Sequence, residues 1–312
     1  MTEAWALEND GQLALGPVRV KVPAKINLHL GVGPLRGDGY HELHTVYHAI
    51  SLFDEVTART GDALTLTMQG EGVGQLDLGD DNLVIRAAKA LAVAAKVEPK
   101  ARLHLRKSIP LAAGLAGGSA DAAATLVACD ALWGTQFSRA DLAKIAETLG
   151  SDVPFLLFGG TALGTGRGET VSPVLARPSK WHWVVAFAEG ELSTPAVFRE
   201  LDRLREAGQA PAPLTSTDAL LAALRQKDPE VLGAALGNDL EAAAISLHPA
   251  LESTLEAGRS AGAHASLVSG SGPTCVFLAS DEVHGEKIAE AVRPHARGVH
   301  LAHGPVPGAR VG

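Results

Sequence analysis

The sequence predicts an α+β protein of two domains. Strand-like and helix-like segments interleave along its 312 residues without the regular βαβ rhythm of a doubly wound sheet. A glycine-rich loop leaves an alternating strand, Arg102–Lys107, and opens directly into an alanine-rich helix. The length suffices for two substantial cores, and a boundary near Gly164 divides the chain into 1–163 and 164–312.

Val18, Val20 and Val22 alternate as a strand over 18–30, broken at Pro23 and resumed through Ile26 and Leu28. Arg36-Gly37-Asp38-Gly39 is a turn. Residues 44–52 and 63–68 read as the next strands. Asp80-Asp81-Asn82 signals the start of a helix, Leu83–Ala95. On the strand Arg102–Lys107, Leu103 and Leu105 share one face and Arg102, His104 and Arg106 the other. The helix after the glycine loop runs to about Leu132. Ser138-Arg139-Ala140-Asp141 opens another that ends at Gly150, and 156–163 reads as a strand. The second unit has a strand over 181–188, a helix over 194–207, a Pro/Ala linker over 209–213 and helices over 217–225, 230–236 and 249–261. Two strands flank Ser269-Gly270-Ser271-Gly272, and a last helix covers 282–292.

Hydrophobic residues make up 46% and charged residues 20%, which marks a globular chain. The net charge of −8 argues against a general nucleic-acid or membrane-surface binder and leaves room for a local basic pocket. Met1-Thr2-Glu3-Ala4-Trp5 lacks the basic start of a signal peptide, and no apolar run approaches the ~18 residues of a membrane span. Cys129 and Cys275 alone make neither a disulfide scaffold nor a structural zinc site. The expectation is a soluble cytoplasmic protein, monomeric or weakly dimeric. Aromatics are only 4%, so each exposed one is informative.

The stretch Pro110-Leu111-Ala112-Ala113-Gly114-Leu115-Ala116-Gly117-Gly118-Ser119-Ala120-Asp121 suits phosphate. Glycines allow close backbone approach, and the first turn of the following helix offers unpaired N–H groups and the positive end of its dipole. It is not a Walker A loop, because no Gly-Lys-Ser/Thr follows, and it lacks the G-x-G-x-x-G spacing of a dinucleotide site. Lys25 and Asn27 share one side of an apolar strand, where a lysine pairs with an anion or simply meets solvent. Asp152, between Gly150 and an apolar run, serves as a general base or caps a turn. Tyr40 and His41 follow a glycine turn and suit a planar base. His41, His44 and His48 do not share a strand face, which disfavours a metal site. Ser269-Gly270-Ser271-Gly272 offers a second backbone cradle or a tight hairpin. In Gly164-Thr165-Gly166-Arg167-Gly168, Arg167 touches an anion or rides a mobile loop.

Together these motifs resemble the GHMP kinase superfamily: Pro23-Ala24-Lys25-Ile26-Asn27, Pro-x-x-x-Gly-Leu-x-Gly-Gly-Ser at 110–119, and Ser-Gly-Ser-Gly at 269–272. Arg36-Gly37-Asp38-Gly39-Tyr40-His41, Asp81-Asn82-Leu83, Gly150-Ser151-Asp152-Val153-Pro154, Thr194-Pro195-x-x-Phe198 and Asn238-Asp239-Leu240-Glu241 are most similar to the branch acting on 4-diphosphocytidyl-2-C-methyl-D-erythritol. The resemblance implies a two-domain fold with ATP and substrate meeting in the cleft. It implies transfer of the γ-phosphoryl group to the substrate 2-hydroxyl, in non-mevalonate isoprenoid synthesis. It also implies roles. Asp152 would be the base and Lys25 its partner beside the phosphoryl group. Pro110 and Ala112 through Ala120 would hold the ATP phosphates with Mg²⁺ bridging their oxygens, and no side-chain ligand of the metal is assigned. Asn82 and Lys107 would lie near the nucleoside. Tyr40 and Phe198 would stack the cytosine and His41 would read its edge. Asn27, Thr194, Gly270 and Ser271 would contact the substrate.

The chain departs from the pattern at Ala116, where glycine is common, and at Ala120, where a second serine is usual. Asp121 adds charge near the helix start, where it caps the helix or opposes phosphate unless it points away. Two other readings stay open: a homoserine- or mevalonate-type kinase, which would not need Tyr40, His41 and Phe198, and a ligand sensor, which would not need Lys25 and Asp152.

Overall fold

The computed structural model describes residues 16–174 and 179–312. The segment Met1-Thr2-Glu3-Ala4-Trp5, read above for a targeting signal, lies outside them. In chain order the first unit runs β1 (Val18–Leu35), β2 (His41–Arg59), β3 (Thr65–Gly70), α1 (Leu83–Ala95), β4 (Arg102–Lys107), α2 (Gly117–Trp133), α3 (Arg139–Glu147), α4 (Val153–Phe158), β5 (Thr161–Thr165) and β6 (Thr170–Pro173). It continues with β7 (Trp181–Phe187), α5 (Thr194–Glu206), α6 (Asp218–Ala223), α7 (Pro229–Ala234), β8 (Gly237–Asn238), α8 (Glu241–Leu247), α9 (Ala250–Ser260), β9 (Ala265–Val268), β10 (Cys275–Ala279), α10 (Glu282–Val292), β11 (Gly298–Gly304) and β12 (Arg310–Val311).

The first sheet has the order β12-β1-β2-β4-β3, with β5 on β2, β6 on β5 and β8 on β1. The second has the order β11-β7-β10-β9 and is antiparallel throughout. The long β1–β2 ladder is the spine. Pro23 does not break β1 as expected. The register instead slips between Pro23 and Ala24 and again between Asn27 and His29, so bulges absorb the proline and bend the strand.

The strand expected over 156–163 is instead the end of α4 followed by β5. A short apolar run does not separate strand from buried helix. Pro154 in the first turn favours the helix, and Gly159 and Gly160, both at positive φ, end it. The expected boundary at 163/164 falls inside β5, which stays in the first sheet with β6; the chain crosses to the second sheet at β7. Strands β8 and β12 then return to β1. Sequence reading left β6, α8, β8, β11 and β12 without assignment.

On β7, Trp181, Trp183 and Val185 join the core shared with the first sheet, while Val184 and Ala186 face the core under α5, α8, α9 and α10. The period of two thus lets one sheet serve two cores. Both cysteines are buried and free, and burial pushes each thiol up to about 12. His48 is also a core group: burial drives it down to about 3, and its Nδ1 meets Thr161 Oγ1 at 2.8 Å. Among the described residues, no helix is long and apolar enough to cross a membrane.

Helix α9 lies against β10 through Gly258, where a Cβ would stand 2.1 Å from the Phe277 ring. Gly258→Ala is therefore expected to destabilise the fold by about 1–3 kcal/mol through overpacking. Urea unfolding checks this, and an unchanged midpoint would contradict the close packing.

Candidate active site

A cavity of about 890 Å³ lies between the two units. The phosphate-type loop, the turn Gly270-Ser271-Gly272, the start of α5, and the residues around Tyr40 and Asp152 line it. Of the expected loop residues, Pro110, Ala112, Ala113, Gly114, Ala116, Gly117, Gly118 and Ser119 reach the cavity. Leu115 and Ala120 are buried behind them.

Helix α2 begins at Gly117 with Ala116 as its N-cap and no side-chain cap bond. Its first intrahelical bond is Ala120 N–H to the Ala116 carbonyl, so the earlier N–H groups are free of helix partners and lie beside the cavity. Ala116 adopts the left-handed region at φ 58 and Ala112 at φ 49. The departure from glycine at Ala116 thus falls on a position that favours glycine. The loop is packed from behind: a Cβ on Gly114 would meet the Ser269 carbonyl at 2.6 Å, and one on Gly117 would meet Lys107 Nζ at 2.9 Å.

Lys107 does not extend into open space. Its ammonium lies 2.6 Å from Asp54 and 2.8 Å from Asp121, with all three side chains buried. The other oxygen of Asp54 accepts from the N–H groups of Ser108 and Ile109 at 2.6 and 2.8 Å. Burial opposes the charge on Lys107, but the Asp121 and Asp54 carboxylates outweigh it and hold the ammonium above its ordinary value. Burial holds the Asp121 carboxyl well above the usual carboxylate range, with Lys107 working against it and Asp54 adding to it. Asp121 therefore neither caps α2 nor faces a phosphate; it ties α2 to β4. Asn82 is likewise engaged within the protein. It caps α1 by accepting from Val84 N–H at 2.9 Å and donates to the Asp77 carbonyl at 2.6 Å, so its side chain is spent locally.

At the other wall, Lys25 Nζ lies 3.6 Å from Asp152 Oδ2. Lys25 donates to Asn27 Oδ1 at 2.8 Å, and Asn27 donates to Thr45 Oγ1 at 2.7 Å, which donates to the His29 carbonyl at 2.8 Å. Asn27 thus aims Lys25. Asp152 stands at the N-cap of α4 but makes no capping bond, and its side chain is 27% exposed against 7% for Lys25. The carboxylate belongs to the cavity, not to the turn. Tyr47, unmarked by sequence reading, completes this end. Its ring stacks on Phe155 at 5.0 Å, with Lys25 Nζ 5.6 Å from its centroid. Burial first, then the charge of Asp152 and a hydrogen bond to it, push the phenol well above its ordinary value. The chain has two tyrosines, and both line the cavity; that scarcity was the available signal.

At the far end Tyr40 is 54% exposed. Phe198 lies on α5 with its ring stacked on His41 at 5.3 Å. Both nitrogens of His41 are engaged, Nδ1 with the Gly33 carbonyl at 2.8 Å and Nε2 with Asp202 at 3.2 Å. In this arrangement the ring supports Phe198. Thr194 Oγ1 and Ser271 Oγ meet at 2.8 Å on the second unit's wall of the cavity. Asn238 donates to the Val268 and Gly270 carbonyls at 2.8 and 2.7 Å, and Glu241 accepts from Val268 N–H at 2.7 Å. Asp239 accepts from Val32 N–H and Leu214 N–H. The Asn238-Asp239-Leu240-Glu241 motif thus sets the second turn in place.

The GHMP kinase N-terminal domain matches residues 82–160 and the GHMP kinase C-terminal domain residues 220–297. A curated protein of Salinispora tropica, named 4-diphosphocytidyl-2-C-methyl-D-erythritol kinase, is 70% identical over 100% of both chains. The chain belongs to the GHMP kinases. Among solved GHMP-type folds, a 4-(cytidine 5'-diphospho)-2C-methyl-D-erythritol kinase is 36% identical with TM-score 0.75, covering 91% of this chain and 98% of its own. A homoserine kinase from Cytophaga hutchinsonii is 20% identical with TM-score 0.74, covering 97% of this chain and 100% of its own. The backbone scores barely differ, so the GHMP fold does not select the acceptor; side chains must.

Lys107→Met, which leaves two carboxylates buried without their cation, is expected to cost about 3–5 kcal/mol in unfolding free energy. Ala116→Gly should do the reverse and raise stability by up to about 1 kcal/mol, since it relieves a left-handed backbone. Paired urea titrations read both, and a fall in stability for Ala116→Gly would contradict the strain.

Proposed function

We propose that the protein transfers the γ-phosphoryl group of ATP to the 2-hydroxyl of 4-diphosphocytidyl-2-C-methyl-D-erythritol, the acceptor in its relatives' name, within non-mevalonate isoprenoid synthesis. The observation that carries the reading is the Lys25–Asp152 pair, 3.6 Å apart in a cavity with the glycine loop on one side and exposed Tyr40 on the other.

The uncapped start of α2 suits an anion, and Gly117, Gly118 and Ser119 would bind the ATP phosphates through backbone N–H groups. Mg²⁺, when bound, would neutralise charge across the phosphate oxygens. Among the described residues no group of three or more His, Cys, Asp or Glu is arranged to hold a metal, so ATP itself and the Ser119 hydroxyl are its proposed holders. Asp152 would accept the hydroxyl proton or orient it for in-line attack. Lys25, aimed by Asn27, would place positive charge on the transferring group in a site where fixed charge costs no reorganisation. Tyr47 stays protonated beside Asp152, its phenol held well above its ordinary value by burial and by the neighbouring carboxylate. Tyr40 and Phe198 would stack the cytosine, and Thr194, Gly270 and Ser271 would touch the middle of the substrate. We place ATP on the first unit's side of the cleft.

The test is ADP release with the cytidylyl substrate, set beside homoserine, mevalonate and an acceptor lacking cytidine. Turnover with the cytidylyl substrate alone supports the proposal; turnover with another alcohol keeps the kinase and overturns the substrate. Asp152→Asn is expected to lower kcat by ~10²–10⁴ with ATP binding retained. Tyr40→Ala should mainly raise the substrate KM, since stacking on a base is worth ~1–3 kcal/mol; a pure kcat effect would argue against stacking.

A further inference from the structure

The two aromatic rings at the far end of the cavity belong to different units. Tyr40 directly precedes β2, and Phe198 lies on α5. Their separation therefore depends on what ties α5 to the start of β2. Phe198, Asp202 and Arg205 recur along α5 at i, i+4 and i+7, so they project along one stripe of the helix. Arg205, at the lower end of that stripe, donates to the Val32 carbonyl at 2.7 Å and reaches the Gly33 carbonyl at 3.4 Å. It also lies 3.4 Å from Asp239, which accepts from Val32 N–H at 2.8 Å. These contacts hold the last turn of α5 to the end of β1.

Asp202, in the middle of the stripe, ties the helix to β2. Its Oδ2 lies 3.2 Å from His41 Nε2, while Nδ1 of the same ring lies 2.8 Å from the Gly33 carbonyl. The face of that ring packs on Phe198, with centroids 5.3 Å apart and planes 24° apart. A carbonyl and a carboxylate both accept, so filling the two bonds takes a hydrogen on each ring nitrogen, and the ring then meets Asp202 as an ion pair. The imidazole is buried and the carboxylate partly exposed at the cavity edge. One ring thus touches β1, Asp202 and Phe198, and it is the residue after Tyr40. Any movement of α5 away from β2 breaks its bond to Asp202 and parts it from Phe198. We infer that Asp202 is a positioning residue for the acceptor's base: through His41 it holds α5 at the start of β2 and so sets the separation of Tyr40 and Phe198. The inference rests on the cytidylyl reading above. A base stacks only between rings held one base-thickness from each face, so a fixed separation favours binding by sparing the cost of ordering the slot.

The experiment is calorimetric titration of the full chain with CDP, in saturating Mg-ADP to fill the glycine loop, and separately with Mg-ADP alone. Wild type, Asp202→Ala, Asp202→Asn, His41→Phe and the double variant His41→Phe/Asp202→Ala are compared, with thermal unfolding as the folding control. Asp202→Ala should weaken CDP roughly 5- to 20-fold and leave Mg-ADP within about twofold. In turnover it should raise the KM for the cytidylyl substrate by a similar factor with kcat within about twofold. Asp202→Asn should recover CDP binding to within about threefold, because its amide can donate to Nε2 of a neutral ring that still donates to Gly33. In the His41→Phe background, adding Asp202→Ala should change CDP binding by no more than about twofold, since the carboxylate acts only through the ring. Unchanged CDP binding in Asp202→Ala overturns the inference. So does a further loss in the double variant, which would make Asp202 a direct ligand contact, and so does equal weakening of CDP and Mg-ADP, which would make it a general support of the fold. A wild-type protein that binds no CDP takes down the cytidylyl reading itself and the inference with it, a result distinct from the other three.

Discussion

The glycine loop holds its shape because of one ammonium group. Lys107 is buried between Asp54 of β2 and Asp121 of α2, and Asp54 also accepts from the two N–H groups that lead into the loop. Strand, loop and helix are thereby fixed to a common point beneath the site. The arrangement is costly. Two carboxylates share one cation, and Asp121 Oδ1 has no partner at all. Such a cluster contributes little net stability and much geometric definition. Around it the packing is almost wholly aliphatic, and α2 is buried on nearly all sides, so the polar contacts alone dictate where the helix begins.

The same economy recurs at other motifs. Asn82 closes a loop and starts a helix; Asn27 aims a lysine; Asn238 and Glu241 hold the second turn by its backbone. These side chains act on the protein so that a few others can act on a ligand. Lys25, Asp152 and Tyr47 form the end at which two substrates would meet, and Tyr40 with Phe198 forms the end that would distinguish acceptors. A homoserine kinase shares the backbone nearly as well as a cytidylyl-type kinase, so the choice of acceptor resides in such side chains.

Local signals were legible where a single element settles the question. Asn82 ahead of Leu83–Ala95, Ser138 ahead of α3, and the alternation of Arg102–Lys107 each predict what is found. Long-range facts were not. Nothing near Lys107 announces Asp54, and the alternation that placed Leu103 and Leu105 inward extends to Lys107 only once its buried partners are known. The apolar stretch after Asp152 carries no period that separates strand from helix; Pro154 was the better guide. His41 was visible as a site residue, but its bond to Asp202 crosses between distant segments. Tyr47 was unmarked; it is a buried core ring that also lines the cavity.

One topological detail bears on how the molecule is made. Strand β12 pairs with Val20 and Lys21 on β1, and Gly308 and Ala309 bond back to α4, the helix that Asp152 begins. The first sheet is thus closed by residues that leave the ribosome long after its other strands. Vectorial synthesis cannot finish the first unit before the second. The nascent chain must carry an open edge beside β1 while β7 to β11 emerge, and the wall bearing Asp152 acquires its last supports only then.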